Sequence, residues 1–141
     1  MQITITNQVL QCVYIIGNQH KEKTQERIFI LDRMFDAIEE SVSEFEVQIQ
    51  SMKEQGEKLD AKSKNTALKV EEREEAKKET LELNKNFEAV HFSCVALDLS
   101  NDTIQMMKDI LTAAIEGEKV VWRRNIKCVA EALSAIDLAN A

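Results

Sequence analysis

Proline is absent from the 141 residues of this chain, whereas an average usage near 5% predicts about seven. Proline and glycine mark most turns and helix ends, and the chain has only three glycines, Gly17, Gly56 and Gly117. So few helix-breaking residues leave little irregular backbone to encode. The sequence therefore predicts an all-α fold of a few long helices, and it argues against the enzyme folds that are built from many short elements.

The clearest periodic pattern lies between residues 24 and 60, where apolar residues recur at alternating spacings of three and four, with Gly56 in the one weak slot. They are Ile28, Leu31, Phe35, Ile38, Val42, Phe45, Ile49, Met52 and Leu59. Such heptad spacing is typical of a coiled-coil seam. We expect a helix over about 20–60, in which the periodic part, residues 24–60, is roughly 55 Å long. A helix of this length needs another long helix, or another subunit, to cover its apolar face.

A second apolar set follows further along the chain, again with heptad spacing. It consists of Leu83, Phe87, Val90, Cys94 and Leu97. Because this set is three residues out of phase with the first, the chain either turns back near residues 63–66 or continues as one helix through a stammer. The polar residues there suit a turn followed by a helix N-cap. We favour the turn, which predicts a second helix over about 65–98 that lies antiparallel to the first.

A third helix is predicted over about 101–139. Ser100 or Asn101 can cap its first turn. Gly117 falls where the apolar stripe of this helix skips a turn. It predicts either a kink or break there, or a continuous helix that tolerates a poor helix former.

The N-terminal residues predict a short helix from about Asn7 to Gly17. Ile3 and Ile5 alternate with threonine as in a strand, but we find no partner strand in the sequence and assign none. The predicted architecture is three long amphipathic helices and one short N-terminal helix. We expect them to form an elongated, antiparallel coiled-coil-like bundle, with residues 1–141 as a single helical domain.

Residues that commonly carry catalysis are scarce. The sequence has two histidines and no glycine-rich phosphate loop, nucleophile elbow or Cys-x-x-Cys pair. His91 and Cys94 stand three residues apart and could give zinc two of the four ligands that a structural site needs. Glu88 and His91 match the Glu-x-x-His motif of di-iron bundles once, without a facing copy. We therefore expect no catalytic residue, no metal and no cofactor, so the chain is not predicted to be an enzyme.

Charge and cysteine content limit the partners. A net charge of −7 argues against a general nucleic-acid binder, and no apolar run is long enough for a signal peptide or a membrane span. Cys12, Cys94 and Cys128 are an odd number at wide spacing, so they imply no closed disulfide framework. We expect a cytoplasmic protein that binds neither nucleic acid nor membrane.

A basic stripe lies beside the single tryptophan. Lys119, Arg123 and Lys127 are spaced four residues apart next to Trp122 and Ile126. The stripe is typical of a docking surface for an acidic partner, since a tryptophan edged by arginine is a common interface anchor. The alternative, which we favour, is a core tryptophan whose flank is solvated.

The sequence predicts a non-enzymatic helical interaction protein that acts by coiled-coil-type self-assembly or partner binding. We expect a protein partner and favour a homo-oligomer, in the first place a dimer. One alternative is a small acidic chaperone or inhibitor that masks an amphipathic helix of a specific target, and a further one is a metal-binding helical bundle. The candidate contact residues are Ile28, Leu31, Phe35, Ile38, Val42, Phe45, Ile49, Met52, Trp122, Arg123 and Ile126.

Overall fold

The computed structural model of the chain describes residues 2–117 and 123–140, without the side chains of 123–126, 139 and 140. The elements in order are β1 (Gln2–Thr6), α1 (Asn7–Gln19), α2 (Gln25–Lys64), α3 (Val70–Phe92), β2 (Cys94–Asp98), α4 (Asn101–Glu116) and α5 (Arg123–Asn140). Helices make up 81% of the structure, so the predicted all-α, bundle-like class is confirmed despite the two strands.

The chain divides into two compact units. The first unit contains the residues up to Val42 together with those from Cys94 onward, and the second is Ser43–Ser93. The first half of α2 thus belongs to the first unit and its second half to the second unit. The two units are described in turn.

A two-stranded antiparallel sheet lies in the first unit. Ile3 pairs with Leu97, and Ile5 pairs with Val95. Ile3 and Ile5 are buried while Thr4 between them is exposed, as the alternating faces of a strand require.

The sheet corrects two expectations. The N-terminal segment does have a partner strand, and the second helix ends at Phe92 instead of continuing to residue 98. The apolar residues Val95, Leu97 and Leu99 alternate with a period of two, which is a strand pattern. Leu97 also fits the helical spacing from Val90, and this is why the heptad pattern assigned the segment to a helix.

The helices of the first unit cover one face of this sheet. α1 begins after Thr6, whose Oγ1 accepts a hydrogen bond from the Val9 amide at 3.3 Å, and it packs against α4 and α5. The buried cluster of the unit is aliphatic, in a chain with only 5% aromatic residues. Its members are Ile3, Ile5, Val9, Leu10, Val13, Met34, Ile38, Val42, Leu97, Leu99, Ile104, Met106, Met107, Ile110, Leu111, Val129, Ala132 and Ile136.

The helix expected over 101–139 is two helices in the structure. Ser100 caps α4 by accepting a hydrogen bond from the Thr103 amide at 3.3 Å. Gly117 is the C-cap, and its N–H bonds to the Ala113 carbonyl at 2.8 Å. The break therefore falls at the position where the apolar stripe skips a turn, next to a residue of low helix propensity.

The second unit is a helical hairpin formed by residues 43–64 of α2 and by α3. The turn between the helices contains Asn65, whose Oδ1 accepts from the Ala67 amide at 3.0 Å. Phe45 packs against His91 with ring centroids 5.1 Å apart, and Gly56 lies against Leu83. Because the order of contacts reverses between the helices, the two run antiparallel. The turn lies slightly beyond the predicted position, and α2 spans 25–64 instead of 20–60.

Candidate functional site

The seam residues predicted in the first half of α2 lie in the first unit. Ile38 and Val42 are 0% and 2% exposed within the aliphatic cluster, whereas Leu31 and Phe35 are half-buried against it. Ile28 is 42% exposed. Little of Ile38 or Val42 is left at the surface for contact with another chain.

The seam residues predicted in the second half of α2 face the hairpin. Phe45 and Ile49 are buried, and Met52 is half-buried. The Phe45 ring lies against His91 of α3, as described above. This part of the pattern is therefore filled by the second helix of the same chain.

The basic stripe cannot be assigned to a site. Trp122 lies outside the described residues, and so do the side chains of Arg123 and Ile126. The expected docking surface around Trp122 stays a prediction.

His91 and Cys94 do not share a helix face, because α3 ends before Cys94, which lies in β2. His91 instead donates from Nδ1 to the Phe87 carbonyl at 2.8 Å, and its ring contacts Phe45 and Phe87. In the part of the chain that the structure describes, no group of three or more His, Cys, Asp or Glu residues is placed to hold a metal ion.

A cluster of charged residues joins α2 to α4 in the first unit. Arg27 donates from Nε to Glu22 Oε2 at 3.0 Å and from Nη2 to Asp109 Oδ2 at 2.9 Å. His20 Nε2 donates to Glu22 Oε1 at 2.8 Å. The hydrogen bonds from Arg27, and secondly from His20, lower the pKa of Glu22 to about 2, and those to Glu22 and Asp109 raise the pKa of Arg27.

The charged cluster suits a structural role better than a catalytic one. Both oxygens of Glu22 accept hydrogen bonds, and Asp109 Oδ1 also accepts from Gln105 at 2.9 Å. A carboxylate held ionised by an arginine is a poor general acid or base near neutral pH. The cluster fixes the connection between α1 and α2 against α4.

A groove of about 500 Å³ runs between β1 and α5 in the first unit. Its lining combines apolar and polar side chains, among them Thr4, Thr6, Val9, Cys94, Glu131, Ser134 and Leu138. Among the described residues of the lining, Cys94 and Glu131 are the ionisable ones. This set suggests no particular ligand.

The outer face of α3 carries three large apolar side chains in a line. Val70, Leu81 and Phe92 are 62%, 65% and 64% exposed, and each is 11 residues from the next. Eleven residues make three turns plus about 20°, so the three side chains lie along one face over roughly 33 Å.

Charged residues fill the spaces between these apolar side chains on the same face. They are Glu74, Lys77, Lys85 and Glu88, all exposed, and Glu74 forms an ion pair with Lys77 at 3.5 Å. We call the three apolar and four charged residues of this face the α3 stripe: Val70, Glu74, Lys77, Leu81, Lys85, Glu88 and Phe92. The heptad pattern of the sequence does not reveal the α3 stripe. Its apolar residues are 11 positions apart with charged residues between them, whereas a heptad seam has apolar residues three and four positions apart.

None of the helices in the described residues is long and apolar enough to cross a membrane. Comparison of the chain with protein-family models, curated proteins and solved structures finds no match.

Proposed function

We propose that this protein is a non-enzymatic interaction protein that binds an amphipathic helix of a different protein along the α3 stripe. The observation that carries the proposal is the alignment of Val70, Leu81 and Phe92, each more than 60% exposed. Exposed large apolar residues are ordinary when scattered, but aligned ones are typical of binding surfaces. A partner that buries all three would gain hydrophobic free energy at three points along one line.

A helical partner fits this surface better than an extended one. Helices that pack side by side contact each other through residues on one face, at intervals of whole turns. The 11-residue repeat is such an interval, and it keeps the contact line nearly parallel to the α3 axis. A coiled-coil-type pairing between α3 and the partner helix is therefore the proposed mode of binding.

The charge order of the stripe favours a different protein over a second copy. From Val70 to Phe92 the charges read Glu74, Lys77, Lys85, Glu88, an order that is symmetric about Leu81. Two copies of the stripe, whether parallel or antiparallel about Leu81, would place glutamate level with glutamate and lysine level with lysine. Like charges on neighbouring helices oppose association. A partner with the opposite charge order would pair favourably at each of these levels.

This proposal combines two of the functions that the sequence predicts, partner binding and the masking of an amphipathic helix by an acidic chaperone or inhibitor. The proposed setting is the cytoplasm, where reduced cysteines such as Cys94 and Cys128 are common.

The test uses two synthetic helical peptides of equal length and net charge. One carries leucines opposite the three apolar residues, with lysines opposite Glu74 and Glu88 and glutamates opposite Lys77 and Lys85. The second has its lysines and glutamates exchanged. Fluorescence anisotropy should show tighter binding of the first peptide, with an affinity that falls on the order of tenfold or more in Leu81→Asp.

Val47→Asp is the matched control, because Val47 is 68% exposed on α2 and lies outside the stripe. It should leave the affinity for the first peptide unchanged. Equal binding of the two peptides, or binding that survives Leu81→Asp, would refute the proposal. A lower molecular mass of the free protein in Leu81→Asp would instead show that the stripe pairs with a second copy.

A further inference from the structure

Among the residues that the structure describes, the outer edge of β2 is open along residues 94–97. β2 pairs with β1 along one edge, and within the described residues no backbone group of residues 94–97 hydrogen-bonds to any other element. β1, in contrast, is in contact with α5. Ile5 is 3% exposed, whereas its cross-strand partner Val95 is only half-buried. The core-facing side chain of this pair is therefore less buried in β2 than in β1.

An open strand edge is a template for another strand, because its outward N–H and C=O groups can continue the ladder. Proteins commonly block such an edge with prolines, lysines or an inward-pointing charge. Residues 94–98 contain no proline and no lysine, and Asp98 at the end is their only charged residue. A sheet of two five-residue strands is also marginal in itself. Addition of strands would therefore stabilise it.

We propose that a second copy of this chain adds its β2 to this edge, antiparallel and centred on Ala96, so that two copies share a four-stranded sheet. The two Ala96 residues would face each other at the two-fold axis. Val95 would pair with Leu97 of the second copy, and Cys94 with Asp98 of the second copy. This pairing is isologous, so the same patch serves both chains.

The register is supported by the faces of the strand. Residues opposite each other in an antiparallel pair point to the same face, so Val95 and Leu97 of both copies stay on the core side. The exposed Ala96 residues, whose small side chains permit close approach, stay on the solvent side. Each half-buried Val95 would gain an apolar neighbour across the new strand pair.

The charges support a second copy as the occupant. In the Ala96-centred register Asp98 lies opposite Cys94, so no like charges meet along the new ladder. A register shifted by one residue would place each Val95 beside the solvent-side residues of the other strand, since a one-residue slip exchanges the faces. Self-pairing about Ala96 thus keeps the apolar row on the core side and leaves Asp98 opposite a neutral residue, and it brings the small, exposed Ala96 side chains together at the axis.

The first test is Ala96→Lys, measured by sedimentation equilibrium over a wide range of protein concentration. Wild type should reach twice the monomer mass of 16.1 kDa. The variant should dimerise more weakly on the order of tenfold, because it places two lysines face to face at the axis. Ala96 is exposed, so the circular dichroism spectrum should be unchanged.

Thr4→Lys is the matched control. Thr4 is also exposed and is the β1 partner of Ala96, so it lies on the same sheet face one strand further from the axis. It should leave the dimer intact. A wild type that stays monomeric, or an equal effect of the two lysines, would overturn the inference. Leu81→Asp should not change the dimer, so failure here is distinguishable from failure of the proposed function.

The second test is a disulfide at the axis. In a Cys94→Ser background, Ala96→Cys should form a covalent dimer on mild oxidation, because opposed residues of an antiparallel pair have the Cα separation that a disulfide needs. Thr4→Cys in the same background should not, since two Thr4 residues would lie three strand spacings apart, about 14 Å.

Native Cys94 supplies an internal check of the register. The two Cys94 residues would be offset by four positions along the strand pair, about 13 Å, which is too far for a disulfide. Rapid cross-linking between native Cys94 residues would overturn the Ala96-centred register.

Discussion

Arg27 and Asp109 lie 82 positions apart in the sequence, yet the Arg27 Nη2 and Asp109 Oδ2 atoms are 2.9 Å apart. The same guanidinium also holds Glu22 through Nε and Nη2, at 3.0 Å and 2.9 Å. One side chain in the first turn of α2 therefore links the preceding connection to the middle of α4. Its loss should affect all three segments together.

Replacement of Arg27 by methionine should lower the free energy of unfolding by about 1–2 kcal/mol, because two carboxylates lose their charged donor. The effect is limited because the Arg27 side chain is 38% exposed and water screens the pair. Urea denaturation measures it. Arg33→Met, at an exposed arginine of the same helix, is the control, and an equal loss in both variants would contradict a specific role for Arg27.

Acid should weaken the fold through Glu22. Its pKa is lowered from 4.5 to about 2 by Arg27 and His20, so the folded state holds the ionised form more strongly than the unfolded state does. The resulting stabilisation is fully present above about pH 4.5 and is lost as the pH falls toward 2. The stability difference between wild type and Glu22→Gln should therefore shrink over this interval in denaturation curves. A difference that stays constant from pH 6 to pH 2 would show that the Glu22 charge contributes nothing.

Gly17 of α1 has no room for a branched side chain. A Cβ built there would lie 3.1 Å from Phe35 Cζ, and the Phe35 ring is itself packed edge-on against Tyr14 with centroids 5.5 Å apart. Gly17→Val should lower the free energy of unfolding by about 1–3 kcal/mol, because the ring has to move. Thermal unfolding followed by circular dichroism measures it, and an unchanged Tm would mean that the ring moves freely.

Gly56 of α2 gives the opposite expectation. A Cβ there would lie 3.5 Å from Leu83 Cδ2, an ordinary contact distance. Gly56→Ala should raise the free energy of unfolding by about 0.5–1 kcal/mol, because alanine loses less backbone entropy in a helix. A destabilised Gly56→Ala variant would indicate closer packing between α2 and α3 than the hairpin shows.

Arg73 carries an unsatisfied polar atom in the hairpin. Its Nε is buried and has no hydrogen-bond partner in the described part of the chain. An unsatisfied buried donor costs free energy, so Arg73→Met should raise the free energy of unfolding by about 1 kcal/mol. Chemical denaturation of both proteins at the same pH gives the comparison. A less stable Arg73→Met variant would show that the guanidinium charge stabilises the fold by more than the unsatisfied Nε destabilises it.

The helices could be predicted from the sequence because their signals are local. The heptads from Leu31 to Leu59 determine α2, and the phase shift before Leu83 indicates the turn that the structure places at 65–69. The strands could not be predicted from the same signals. The alternation at Ile3 and Ile5 indicates a strand only together with Val95 and Leu97, about ninety positions away. A heptad pattern contains local spacings alone and cannot identify such a distant pair.

The candidate site, the α3 stripe, could not be predicted from heptad patterns either. A heptad pattern finds side chains that a chain buries in itself, and Ile38, Val42, Phe45 and Ile49 are indeed buried. A docking surface consists of apolar residues that stay exposed, and exposure at Leu81 or Ala96 follows from the packing of neighbouring elements. Only the structure distinguishes Leu81, which is 65% exposed, from the buried Leu59.

The pairing of β1 with β2 has a consequence for the order in which the chain acquires structure during synthesis. Ile3 and Ile5 leave the ribosome long before Val95 and Leu97, and at usual elongation rates the delay is about 5–20 s. The hairpin of residues 43–93 is complete in sequence before β2 is made. It can therefore form while β1 has no strand partner, so the first unit closes only after the sequence of the hairpin is complete.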